Sequence, residues 1–189
     1  MQNNHHKTAL LVMDVQNGIV SRFTENENML LPFQKAVEAA RRHAIPVIFV
    51  RVAFREEFPE ISPNNKSFSV ISRSGNMTIS TTATQIHESL QPQSNEPVVT
   101  KLRISAFAGS DLEVILRSLQ IDTLVLSGIS TSGVVLSTVR EAADRDFALT
   151  VLADACLDAD PEVHRVLTEK VFPRQADVLT VDAWIDTLV

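Results

Sequence analysis

The sequence predicts an α/β protein, a three-layer αβα arrangement on a doubly wound, six-stranded parallel sheet of Rossmann-like order. Short apolar runs recur along the chain without the polar alternation of a half-exposed sheet, which marks strands covered on both faces. Amphipathic stretches separate these runs, so helices must lie on both sides of the sheet. No internal repeat or low-complexity tract interrupts the rhythm, and 189 residues at 44% hydrophobic and 21% charged suit one domain spanning 1–189.

The predicted strands are Leu10–Asp14, Pro46–Val52, Pro97–Lys101, Thr123–Gly128 and Ala148–Asp154, with a sixth at Asp177–Val181. Helical patterns occupy Asn28–His43, Asp111–Gln120, Thr131–Arg145 and Pro161–Phe172, followed by a last turn around Trp184. Right-handed crossovers connect parallel strands of this kind, giving the order 3-2-1-4-5-6. That order places a ligand crevice beyond the carboxyl ends of the strands, at the switch point between the first and fourth. Asp14 and Gly128 stand at those two ends. One segment breaks the pattern: residues 55–82, "REEFPEISPNNKSFSVISRSGNMTISTT", are too long for an ordinary connection. This insertion leaves the carboxyl end of the second strand, where it reads either as a lid or rim over the crevice or as a surface loop or oligomer arm.

Charge narrows the partners. Seventeen basic against 23 acidic residues give a net charge of −6, and no run of Lys/Arg exceeds Arg41-Arg42. Nucleic acid and anionic membranes are therefore poor partners, and a small-molecule substrate is the expectation. The apolar runs are far shorter than the ~20 residues of a membrane span, and Met1 to Lys7 is polar, unlike a secretory signal, so a cytoplasmic location is expected. The single cysteine, Cys156, rules out an internal disulfide and reads as a small core residue.

Three groups carry candidate chemistry. Asp14 ends the first strand beside Gln16 and Asn17, and a carboxylate there is costly unless paired or used. Lys101 closes the third strand after four uncharged residues, and its end faces the same crevice; Arg103 shares its side if the strand continues. A nearby ammonium would lower the Asp14 pKa while burial would raise it. The third group is "GISTSGVVLSTVREA" from Gly128, where Ser130, Thr131 and Ser132 precede a helix whose first amides would favour an anion or a developing oxyanion. Arg51, Phe54, Arg55, Phe23 and Phe107 stand near strand ends or loops as possible pocket walls. Metal ligation is not suggested, because the five histidines form no HxxxH or HExxH pattern, and the GxSxG elbow of a serine hydrolase is missing. No cofactor is implied.

"LLVMDVQNGIV", "VVTKLRISAF", "TLVLSGISTSGVVLSTVREAADRDF" and "LTVLADAC" resemble, in order and spacing, the isochorismatase-like hydrolases, also called the cysteine hydrolase superfamily. The resemblance covers nearly the whole chain apart from the insertion. It implies a catalytic set of strand-end aspartate, strand-end lysine and helix-entry cysteine; the first two fall on Asp14 and Lys101, and the third column falls on Val134. A one-residue shift would bring Gly133 there at the expense of Thr138 and Ala142. The resemblance also implies a cis peptide at Ile129-Ser130 and assembly as a dimer or tetramer; the helix entry offers a backbone site for an anionic group around Ile129, Ser130, Thr131 and Gly133, and Gln16, Phe23 and Phe107 stand close enough to strand ends to contact a substrate. Valine has no lone pair with which to attack. The implied chemistry is therefore that of the isochorismatases proper, which lack the cysteine and hydrolyse a vinyl ether by protonation from the aspartate. The alternative is an inactive member that binds a small molecule or acts as an oligomeric interaction protein.

Overall fold

The computed structural model describes residues 7–23 and 28–188. The polar amino-terminal stretch with His5 and His6 lies outside the described residues. Among those described, six strands form one parallel sheet in the order β3-β2-β1-β4-β5-β6: β1 (Thr8–Met13), β2 (Val47–Val52), β3 (Val98–Lys101), β4 (Thr123–Ile129), β5 (Ala148–Leu157) and β6 (Asp177–Leu179). This is the predicted order.

The strand runs are apolar throughout because both faces are covered. Side chains alternate across a strand, so Leu10 and Val12 of β1 enter one core while Ala9, Leu11 and Met13 enter the other. The short helix α1 (Asn17–Val20) follows β1, and α2 (Leu31–Arg42) then packs Phe33, Ala36, Val37 and Ala40 into the first core together with Trp184 of α7 (Val181–Asp186). The second core receives Leu112 and Leu116 of α4 (Leu112–Leu119) and Val139 and Ala142 of α5 (Leu136–Ala143). Between α2 and α4 in the chain lies α3 (Ser69–Ser74), inside the insertion, and α6 (Pro161–Val166) follows β5.

Several boundaries move from the sequence expectation. β5 runs three residues further, to Leu157, because its end pairs with that of β4 (Gly128 with Cys156, Ile129 with Leu157) after a register shift. Asp14 falls just outside β1, with φ 59°, a left-handed conformation that aspartate tolerates better than most residues. The amphipathic stretch from Thr131 opens as a π-turn (Thr131–Val135) before becoming α5, and α6 ends in a second π-turn at Leu167–Val171. Gly128 is required by a close approach: a Cβ there would lie 2.7 Å from the Met13 carbonyl oxygen.

The insertion is ordered rather than a bare loop. Phe68 and Met77 pack with Val52 and Phe54 as a small satellite core, Phe54 meeting Phe68 edge-on at 5.5 Å. It hangs from the end of β2 through hydrogen bonds of Phe54 with Met77 and Ile79.

Gln16 belongs to this scaffold and not to a substrate contact, which corrects the sequence expectation. Its amide nitrogen donates to the carbonyls of Val52 and Thr84, both at 3.0 Å, and its oxygen accepts from the Val52 amide at 2.9 Å, all fully buried. The side chain thus acts as an extra rung between the end of β2 and the 82–84 turn. Gln16→Ala should lower unfolding free energy by about 2–4 kcal/mol, since it deletes three buried hydrogen bonds and orphans backbone groups; urea denaturation measures it.

Candidate active site

The ends of β1, β3 and β4 deliver Asp14, Lys101 and the Ile129–Val134 turn to one cavity of about 460 Å³. Register explains the convergence. Asp14 donates its amide to Val50 of β2, Val52 of β2 pairs with Lys101, and Met13 pairs with Gly128 on the other side. Neighbouring strand ends thus bring together residues 87 positions apart in the chain.

Asp14 and Lys101 form an ion pair at the cavity floor. Lys101 Nζ lies 3.0 Å from Asp14 Oδ2, with side chains only 2% and 7% exposed. The ammonium also donates to the carbonyls of Arg103 at 2.9 Å and Ile104 at 3.0 Å. Three protons therefore meet three acceptors, and no donor remains for a ligand. The second carboxylate oxygen, Asp14 Oδ1, is buried without a partner. Burial raises the Asp14 pKa, opposed by the charge of Lys101 and its hydrogen bond; desolvation dominates, so the group holds its proton more tightly than a free aspartate.

The wall is formed by Ile129, Ser130, Ser132, Gly133 and Val134, and the Ile129-Ser130 peptide bond is cis. Val134, 2% exposed, presents an isopropyl group to the space beside Asp14. Two of the turn's amides are not left open as the sequence suggests. Ser132 N–H donates to Asp158 Oδ2 at 2.7 Å, and Gly133 N–H donates to the Ser130 carbonyl at 3.2 Å. Phe23 lines the cavity together with Ile19, while Ser67, Phe68 and Ile71 of the insertion complete its roof. Arg22 and Asp158 are the remaining charged residues on its surface.

Other expectations are corrected. Phe107 points away into the core beneath α5, with its ring 6.1 Å from Phe147 and the Arg145 guanidinium over it. Thr131 is fully buried and its hydroxyl pairs with His164 Nδ1 at 2.8 Å, so it holds α6 against the turn rather than facing the cavity. Arg51 is spent on Thr100 and Gln85, Phe54 belongs to the satellite core, and Arg55 pairs with Glu60. Arg103 donates to the Leu102 and Glu60 carbonyls. Asp158 went unseen in the sequence, whereas Ser67, Phe68 and Ile71 fall in the 55–82 insertion, one reading of which is a lid or rim over the crevice. Asp158 sits in "DADPE" like a helix cap, and Asp160 is that cap, accepting from Glu162 and Val163. The extension of β5 to Leu157 is what carries Asp158 to the turn.

A hollow of about 420 Å³ lies at the opposite end of the sheet, beside Pro46 and Leu119. Its charged groups, Arg41 and Glu96, are bound to each other at 2.7 Å, which leaves it no reactive group. Among the described residues no group of three or more His, Cys, Asp or Glu could hold a metal ion, and no helix is long and apolar enough to cross a membrane.

A family model of the isochorismatase domain matches residues 8–183. The chain is 30% identical over 181 residues to the uncharacterized isochorismatase family protein YwoC of Bacillus subtilis, covering 95% of this chain and 93% of that one. It is 28% identical over 207 residues to the ureidoacrylate amidohydrolase RutB of Pseudomonas savastanoi, covering 96% and 81%. Among solved structures, an isochorismatase-like hydrolase from Alkaliphilus metalliredigens superposes with a TM-score of 0.83 at 28% identity, covering 97% of this chain and all of the other.

Cys156 is buried in β5 opposite Gly128 and does not line the cavity. Burial pushes its thiol up to about 12, with the Asp154 charge adding to the rise and a Gly128 backbone hydrogen bond opposing it. The folded protein should therefore resist alkylation by iodoacetamide at pH 8, and urea-unfolded protein should label fully; mass spectrometry reads both states.

Proposed function

The chain belongs to the isochorismatase family of hydrolases, and from that premise we propose that it hydrolyses a small molecule by acid-base chemistry at Asp14, with no covalent intermediate on the protein. The observation that carries this reading is the buried, half-unpartnered Asp14 carboxyl beside a valine. A carboxyl whose pKa burial raises holds a proton to give away up to a higher pH than a free aspartate does, and Val134 has nothing with which to attack. The amidohydrolase activity named for RutB does not transfer, because the column that the sequence resemblance assigns to the attacking cysteine is Val134 here.

The chemistry that fits is hydrolysis of a vinyl ether or a related C–O bond. The Asp14 carboxyl delivers its proton to the terminal alkene carbon, and the π electrons form the new C–H bond. The adjacent carbon becomes an oxocarbenium centre stabilised by its ether oxygen. Water adds there and loses a proton, and the resulting hemiketal collapses to a carbonyl compound and an alcohol. Lys101 steadies the carboxylate left behind, which recovers its proton from the water consumed. The apolar wall of Ile129, Val134 and Phe68 keeps bulk water from competing for the acid. A binding protein that lost catalysis is the rival, favoured by the same valine.

Asp14→Asn should fold, because its amide oxygen still accepts from Lys101, and should lower kcat/KM by about 10²–10⁴-fold on any vinyl ether the wild type turns over. Undiminished turnover would exclude the mechanism. A wild type inert toward vinyl ethers, esters and amides, together with a Val134→Cys variant that gains nothing, would establish the rival.

The acid form is the active one, so kcat/KM should be highest at low pH and fall as pH rises through the raised Asp14 pKa. Lys101→Met removes the cation that pulls this pKa down, and the falling limb should move to higher pH. A limb that stays in place or moves down would contradict the assignment of the acid.

A further inference from the structure

The Lys101 ammonium and two amides of the turn are already committed in a way that constrains what can enter. Lys101 has no donor to offer, since its three protons go to Asp14 and to the carbonyls of Arg103 and Ile104. At the opposite wall a carboxylate of the protein itself stands where the entry of a helix would otherwise attract an anion: Asp158 Oδ2 accepts from Ser132 N–H at 2.7 Å. The neighbouring amide, Gly133, is turned to the Ser130 carbonyl. Asp158 Oδ1 receives only a long contact of 3.3 Å from Asp160 N–H. Each carboxylate oxygen has two acceptor positions, so Asp158, which lines the cavity, keeps spare acceptor capacity.

We infer that Asp158 determines specificity: the cavity takes a molecule with an apolar body whose end near the Ser130–Gly133 turn donates hydrogen bonds, as an amide NH₂, an ammonium or an amidinium does, and it disfavours a carboxylate there. The inference rests on the cavity being the substrate site proposed above, but not on Asp14 being the acid. It reverses the expectation from the sequence, in which the turn's amides would hold an anionic group. The apolar body is set by Ile19, Phe23, Phe68 and Ile71 on the side away from the floor.

Benzamidinium and benzoate share a ring and differ in the charge and hydrogen-bonding sense of the exocyclic group, and isothermal titration calorimetry on the full chain compares them directly. The wild type should bind benzamidinium about tenfold more tightly than benzoate or better, the scale of one charge contact near a protein surface. Asp158→Asn keeps an acceptor for the Ser132 amide, so the turn should hold and its thermal midpoint should stay near that of the wild type; in this variant the ratio should collapse toward unity. Asp14→Asn should retain the wild-type ratio.

A wild type that binds the two equally, prefers benzoate or binds neither overturns the inference, benzoate preference assigning the cavity's polarity to Arg22 instead. Survival of the ratio in Asp158→Asn also overturns it, as does its loss in Asp14→Asn alone, which would make Asp14 the acceptor. The wild-type comparison stands even if Asp158→Asn does not fold. Loss of turnover in Asp14→Asn with the ratio intact separates the two claims, since catalysis and selection then depend on different carboxylates.

Discussion

The buried contact between Lys101 and Asp14 governs the rest of the site. Removing two charges from water is expensive, and their mutual attraction compensates only when the remaining protons and lone pairs are also satisfied. On the lysine side they are, through the Arg103 and Ile104 carbonyls. On the aspartate side one oxygen is left without a protein partner. The imbalance has a chemical effect: a carboxyl whose ionised form is poorly accommodated holds its proton more readily. The segment after β3 is bent to supply the two carbonyls, so this stretch, and not β3 alone, fixes the lysine.

Valine at position 134 fits this arrangement. In a site built for covalent catalysis the aspartate and lysine would serve a nucleophile. Here the neighbour is an isopropyl group, 2% exposed, that adds apolar surface next to the acid. Desolvation is the largest influence on the Asp14 pKa, so replacing a polar side chain by a hydrocarbon acts in the same direction as the burial of the carboxyl itself. On the proposed reading, the residue that removes one mechanism supports another.

Much of the architecture was legible because it depends on local signals. Continuous apolar runs such as Leu10–Met13 report strands buried on both faces, and strand order follows from crossover handedness. The meeting of Asp14 with Lys101 was legible for the same reason, since both close strands whose ends face the switch point. Gln16 and Phe107 were misassigned because position near a strand end does not reveal side-chain direction. The Gln16 amide is used up on Val52 and Thr84, and Phe107 turns under α5. Asp158 was hidden by a register shift in β5 that no periodicity announces, and the Thr131–His164 contact by the distance in sequence between a turn and a helix.

The satellite core of Val52, Phe54, Phe68 and Met77 separates two kinds of stability within the molecule. The acid, its lysine and the turn are fixed by the central sheet, whereas the roof over them is held by a handful of side chains anchored to one strand end. Regions with few packing partners open locally at lower free energy than the body to which they are attached. On the reading proposed for Asp14, passage of small molecules to and from the interior falls to the roof, and changes in it alter admission without disturbing the framework of the central sheet.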